Sequence, residues 1–192
     1  MIFELNQRKI RKQLLGSIPI ETERLKIRNI EPKDVLDMYE YCSIPEVSEF
    51  LLWNTHLNIE TTEGYICSLQ ERYKKGLYGD WAIELKSNHK MIGTIGYAAL
   101  DTVEKRCEIG YVLSPYYRND GYMTEALSAI LDLTFRRIEI KTAVLRIIKE
   151  NQRSVNLAEK MGFSYDYSIN MDIKGHYREV AHYILTFKQY KK

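Results

Sequence analysis

Between residues 108 and 135 the spacing of apolar positions switches from that of a strand to that of a helix. Residues 109–113, Ile-Gly-Tyr-Val-Leu, have strand composition. Ser114-Pro115 ends the run, because proline supplies no ladder donor and biases its predecessor away from helix. After the polar turn Arg118-Asn119-Asp120-Gly121, the residues Met123, Ala126, Leu127, Ile130, Leu131 and Thr134 recur at three-and-four spacing, the buried stripe of a helix. A strand, a short glycine-containing turn and a helix start aim unpaired N–H groups, and the positive end of the helix dipole, at whatever sits above the turn. Arg118 adds a fork that matches phosphate oxygens. The local expectation is an anion cradle.

The same reading extends along the chain. Residues 1–18 set Phe3, Leu5, Ile10, Leu14 and Leu15 among Arg8, Lys9, Arg11 and Lys12. This predicts a basic amphipathic helix, an extension over residues 1–20 that packs on the domain, lies on a membrane surface or makes a dimer contact. Residues 24–30 alternate as a half-buried strand. Pro32 opens a helix carrying Val35, Leu36, Met38 and Tyr39, and Ile44-Pro45 closes it. Residues 46–58 hold Phe50, Leu51, Leu52, Trp53 and His56 without a period. Thr61 or Thr62 caps a second helix that runs to about Lys75.

Strands follow at 81–85, 91–100 and 106–113. Gly93 and Gly96 in the second predict a bulge or the close approach of a neighbour. Arg136-Arg137 suits the negative end of the opening helix. Residues 142–148 are apolar on both faces, as in a central strand. Asn151 as N-cap and Gly162 as a left-handed C-terminal residue bracket another helix. Two last strands, 163–172 and 177–187, turn at Lys174-Gly175. The order βααβββαβαββ implies one parallel crossover in a mostly antiparallel sheet. Without repeat or linker, residues 21–192 are expected to form one domain.

Composition narrows the function. A chain of 192 residues can bury a core unaided. A net charge of +2 is too small to imply nucleic-acid binding. Cys42, Cys67 and Cys107 show no metal spacing and fit a reducing compartment; His176 and His182 suggest no metal site either. No apolar run is long enough to span a membrane, and no secretory signal is read. A cytoplasmic protein without a metal or a membrane partner is expected.

The motif Arg118-x-x-Gly121-x-Met123 resembles the pyrophosphate loop of the GCN5-related N-acetyltransferases (GNAT). The flanking string Ile109-Gly110-Tyr111-Val112-Leu113 … Gly121-Tyr122-Met123-Thr124-Glu125-Ala126 is similar to the RimJ/RimL branch, whose members acetylate the N-termini of ribosomal proteins. The element order agrees with the family over residues 21–188. The resemblance implies an α+β (mixed α/β) fold. A twisted, mostly antiparallel sheet of about seven strands carries helices on both faces. Strands 106–113 and 142–148 splay to form a wedge for acetyl-CoA, the co-substrate.

It further implies site residues. Tyr111 and Leu113 would pair with the pantetheine arm, and a bulge in their strand would aim an N–H at the thioester oxygen. Arg118, Asn119, Asp120, Gly121, Tyr122, Met123 and Thr124 would hold the pyrophosphate. Glu108 would be the general base through a water, unless it is only a surface ion-pair partner of Arg106 or Lys105. Asn151 would bond the pantetheine, cap its helix, or both. Ala158 stands where the wider family often has the tyrosine that protonates the leaving thiolate. The Ser154 hydroxyl would substitute for it or merely bond backbone. Phe50, Trp53 and His56 would wall the acceptor pocket or pack in the core. Asn119, where the family often has glycine, tolerates left-handed backbone. Met123 replaces a small residue, and Asp120 suits a pyrophosphate only if it points to solvent.

The expected activity is direct acetyl transfer to a primary amine, foremost the N-terminal α-amine of a protein. Polyamine or aminoglycoside acetylation, and a non-catalytic acyl-CoA sensor, are the alternatives. A homodimer through the first helix or last strands stays open.

Overall fold

The computed structural model describes residues 18–191. The helix expected over residues 1–18 falls outside them, save its last residue. Eight strands form one sheet: β1 (Ile20–Glu21), β2 (Leu25–Asn29), β3 (Asp80–Leu85), β4 (Met91–Asp101), β5 (Arg106–Leu113), β6 (Thr142–Ile148), β7 (Ser164–Ile173) and β8 (His176–Thr186). Their spatial order is β1-β2-β3-β4-β5-β6-β8-β7. Every neighbouring pair is antiparallel except β5 and β6. The strand beyond the seven expected is β1, whose two residues are too few to leave a period.

Helices α1 (Val35–Cys42), α2 (Pro45–Ser48) and α3 (Ile59–Lys74) precede β3; α4 (Tyr122–Asp132) and α5 (Gln152–Lys160) flank β6; α6 (Phe187–Tyr190) follows β8. The first three cover one face, where Met38, Tyr41, Ile66 and Leu69 pack on Ile30, Ala82 and Met91. On the other face Met123, Ala126, Leu127, Ile130 and Leu131 of α4 and Val155 and Ala158 of α5 pack into the larger core. A π-helical stretch, Leu133–Arg137, ends the α4 rod.

Two local expectations shift. Asn58, not Thr61 or Thr62, caps α3, its side chain accepting from the Thr61 N–H at 3.0 Å. Pro45 does more than stop α1: it occupies the first turn of α2.

The sheet divides at β5. Parallel pairing with β6 runs only through Arg106↔Thr142, Cys107↔Ala143 and Glu108↔Val144. Beyond Glu108 the two strands part, leaving the β6-facing edge of residues 109–113 without a strand partner. Strand alternation sends Cys107, Ile109, Tyr111 and Leu113 toward α4 and α5, and Glu108, Gly110 and Val112 to the opposite face.

Gly93 and Gly96 mark close approaches. A Cβ on Gly93 would collide with the Val112 carbonyl oxygen, and one on Gly96 would stand 2.6 Å from that of Gly79. The bulge lies just beyond, between Tyr97 and Ala99, opposite Ile109 and Glu108. Its extra residue, Ala98, belongs to β4. The β4–β5 ladder shows no extra residue on β5, where the family resemblance had implied one.

Candidate active site

A cavity of about 430 Å³ opens where β5 and β6 separate. Its lining includes Tyr111 and Leu113 of β5, the turn residues Arg118, Asn119 and Gly121, Tyr122, Met123 and Thr124 at the start of α4, Asn151 and Ser154 of the α5 start, and Phe50. Eleven of the residues singled out in the sequence thus meet on one surface, although they come from four separate parts of the chain.

The turn owes its shape to two left-handed residues, Asn119 at φ 70° and Gly121 at φ 82°. Asparagine therefore supplies the backbone that glycine would otherwise provide. Arg24 at the start of β2 fastens the turn from behind. Its Nη1 donates to the Asp120 carbonyl at 2.9 Å, and its Nε donates to Glu125 at 2.7 Å. The Asp120 side chain is exposed and does not line the cavity. Met123 is buried, its side chain in the core with α4, so its bulk is directed largely into packing.

Opposite the helix start, Glu46 of α2 joins two guanidinium groups. Arg118 Nη1 and Arg153 Nη2 both donate to its Oε1, at 2.6 and 2.7 Å. Arg118, and then Arg153, hold the Glu46 carboxyl below its ordinary value. The two cations converge on one oxygen at the cavity wall, an arrangement that suits an anionic group.

Asn151 caps α5, its side chain accepting from the Ser154 N–H at 3.3 Å, while it also lines the cavity. Near Ser154 lies the Tyr111 hydroxyl, buried and without a partner of hydrogen-bonding geometry among the described residues. Burial pushes it up to about 12, and Ser154 opposes the rise only in part. Ala158 is fully buried, in the core.

Glu108 lies on the other face of β5, at the last paired position before the fork, and does not line the cavity. Its Oε1 meets Arg146 Nη2 at 2.8 Å, not Arg106 or Lys105. Parallel register explains the choice: Arg146 follows Val144, the partner of Glu108, by two residues and shares its face. Beside Arg146, on β8, is its cross-strand neighbour His182, whose ring stacks on Tyr167 at 4.3 Å.

Phe50 bridges the two faces, lining the cavity and packing against Ile148, Ile173 and Val180. Trp53 and His56 do not reach the cavity. Their rings lie 5.2 Å apart, and His56 Nδ1 bonds Thr62 at 2.8 Å. Burial holds the His56 imidazole below its ordinary value. Lys174, at the β7–β8 turn, donates to the Ser48 and Trp53 carbonyls at 2.6 and 3.4 Å and pins this segment across the sheet. Cys107 is buried, its thiol pushed up to about 12, which suits packing and not nucleophilic attack.

The strands part just beyond Glu108, and a cavity lined by Arg118 and Arg153 opens there; the sequence that builds it matches a family model. The model for the Acetyltransferase (GNAT) domain covers residues 24–164. The chain belongs to the GNAT family of N-acetyltransferases.

Over 144 residues it is 28% identical to the N-acetyltransferase YoaA of Bacillus subtilis, which covers 75% of this chain and 81% of that protein. It is 22% identical over 170 residues to the spermidine N(1)-acetyltransferase of Escherichia coli K12, covering 86% and 88% respectively. The ribosomal α-N-protein acetyltransferase RimL shares the fold at a TM-score of 0.76 and 20% identity, over 88% of this chain and 93% of that one. RimL in complex with coenzyme A gives 0.74 at 19% identity, over 88% and 97%.

For this GNAT protein, sequence reading missed Glu46, Arg153, Arg146 and Arg24. Arg153 was findable, because it stands in the first turn of a capped helix beside Ser154. Arg146 interrupts an otherwise apolar strand, a signal of polarity without a partner. Nothing local points to Glu46. No helix among the described residues is long and apolar enough to cross a membrane.

Proposed function

We propose that this acetyltransferase moves the acetyl group of acetyl-CoA directly to the N-terminal α-amine of a protein. The observation that carries the reading is the fork after Glu108, which opens a cavity lined by Arg118, Arg153 and the start of α4, with the Glu108 carboxylate at the last paired position before the strands part. Unpaired backbone of residues 109–113 suits the amide-bearing pantetheine arm. The N-terminus of α4, with Arg118 and Arg153, suits the phosphates. Bound there, acetyl-CoA supplies the activated acyl group.

The residues of this chain then divide the work. Glu108 takes a proton from the incoming ammonium, directly or through water. A reference α-amine has a pKa of about 8 and needs only modest help. Ser154, with the Tyr111 hydroxyl beside it, donates toward the leaving sulfur. Phe50 excludes water between the two faces. The acceptor class is supported by the guanidinium of Arg146 at Glu108. A polyamine, with several cationic nitrogens, is repelled there, whereas a peptide terminus brings one.

The test is coenzyme A release measured with a panel of peptides, spermidine and an aminoglycoside. Peptide N-termini are expected to turn over fastest, and a spermidine rate exceeding every peptide would overturn the acceptor assignment. Tight acetyl-CoA binding without turnover on any acceptor would make the protein a sensor.

Cofactor affinity gives a second expectation. Arg118→Ala should weaken coenzyme A binding about 10- to 100-fold, the range of a charge-assisted hydrogen bond. Glu46→Gln should tighten it, because the anion then meets two guanidinium groups relieved of a competing carboxylate. Calorimetry at two salt concentrations reads both. Equal affinity in the wild type and both variants would remove this pair from the phosphate site.

A further inference from the structure

The face of the sheet that carries Glu108 holds a row of polar groups, one strand apart, leading away from the fork. Glu108 stands on β5, Arg146 on β6, His182 on β8 and Tyr167 on β7. Two observations in this row are not explained by acetyl transfer to an arbitrary amine.

The first is the guanidinium of Arg146. It has five N–H donors, and its recorded ion partner among the described residues is Glu108, through one nitrogen at 2.8 Å. Its side chain keeps 31% of its surface exposed, so a ligand can reach the remaining donors. The second is His182. The residue is only 8% exposed, yet neither ring nitrogen has a hydrogen-bond partner among the described residues. Buried polar atoms in folded proteins are rarely left so. Its neighbour across the β6–β8 ladder is Arg146 itself. The field at the ring is dominated by that cation: burial and then Arg146 hold the imidazole below its ordinary value, against the smaller opposite pull of Glu108. A carboxylate followed by an unsaturated guanidinium and an orphaned imidazole forms a minus-then-plus template. Its complement is an amine with an acid group close beside it.

We infer that Arg146, backed by His182, binds a carboxylate of the acceptor, so that the preferred substrate carries an acidic group adjacent to the amine presented to Glu108. This rests on the acceptor reading above and narrows it: the chemistry is that of an acidic residue at or next to a peptide N-terminus, or of a free acidic amino acid. An acid group there gains charge-assisted bonds to Arg146, while a second cation in its place meets the guanidinium head-on. Arg146 reads the acceptor and is a specificity residue. His182 is a positioning residue, which backs the Arg146 guanidinium from β8.

The test uses the intact protein and saturating acetyl-CoA. Peptides identical except for Asp, Gln or Lys at the second residue are compared by kcat/KM, together with free glutamate and glutamine. The expected result is a preference of about tenfold or more for the acidic peptide over the neutral one, and a further loss with lysine. In Arg146→Gln the acidic-to-neutral ratio should fall to about one, with a smaller change on the neutral peptide. His182→Gln should lower the ratio partially. Thermal unfolding of both variants separates loss of preference from loss of fold. Equal rates on all three wild-type peptides, or a preference that survives Arg146→Gln, overturns the inference while leaving the protein N-terminus as acceptor. Arg146-dependent turnover of free glutamate without turnover of any peptide upholds the inference and overturns the peptide reading. Turnover of polyamines alone overturns both.

Discussion

Glu108→Gln is expected to lower kcat/KM by about tenfold at pH 7 and about 100-fold at pH 6, the deficit left when a positioned general base is lost and only amine that is already neutral, with its value near 8, can react. The size of the deficit should depend on pH. Glutamine cannot take the proton, so the variant acts only on acceptor that is already neutral. That fraction grows as pH rises through the amine's own value near 8. The gap between wild type and variant should therefore be widest in acid and should close toward about pH 9. Coenzyme A affinity should not change, because Glu108 does not line the cavity. Initial rates between about pH 6 and 9, with calorimetry for coenzyme A, supply both measurements. Parallel pH profiles at equal height would remove Glu108 from proton transfer and leave it as the anchor of Arg146.

The largest stability effect is expected well away from the chemistry. Arg28, only 7% exposed, donates to Asp34 through both terminal nitrogens at 2.7 Å and to Glu84 through Nε. Asp34 and Glu84 are buried too, at 2% and 4% exposed. Asp34→Ala leaves a buried guanidinium with half its bonds unmade. Breaking a buried pair by removing one partner costs about 3–5 kcal/mol, which at 2–4 °C per kcal/mol lowers the melting temperature by roughly 6–20 °C in a domain of this size. Asp34 also accepts from the Glu31 N–H at 2.7 Å where the chain enters α1, so the α1–α2 segment that bears Glu46 and Phe50 should loosen first. Calorimetric unfolding gives the magnitude, and a loss below about 1 kcal/mol would contradict it.

The same cluster sets the response to acid. Burial raises the Glu84 carboxyl, but hydrogen bonds from Arg28 and His89 outweigh burial and hold it below its ordinary value. Glu125 is held down in the same way, with Thr22 and Arg24 overcoming burial. A depressed folded-state value means that the stabilisation is present above the unfolded value of about 4.3 and is lost as pH falls through the folded one.

Much of the fold was legible because its signals are local. The limits of β5 and β6 and the Asn151 cap follow from runs, breakers and side-chain reach of a few residues. The α3 start was misjudged by three or four residues because Asn58, Thr61 and Thr62 are all capable caps. The choice between them lies in the Asn58 backbone, extended at φ −148°. The pockets were less legible. Phe50, Trp53 and His56 sit within seven residues in one aperiodic segment, yet only Phe50 meets the cavity, because α2 turns the chain between Ile44 and Glu49. Which of the three would face inward could not be read from their order.

The sequence by itself determined the turn and helix start of residues 118–124, proposed above as the anion cradle. A strand-to-helix change of period, a proline stop, a glycine and a left-handed asparagine each act on backbone within a turn or two. Only the tertiary structure decided what the cradle faces. Arg118 and Arg153 lie 72 and 107 residues from Glu46, yet bond one of its oxygens. Glu108 meets Arg146 because parallel pairing stops after three residues and sets both side chains on one face. Contacts between distant segments depend on register and on where a sheet splits, and neither leaves a mark in local spacing.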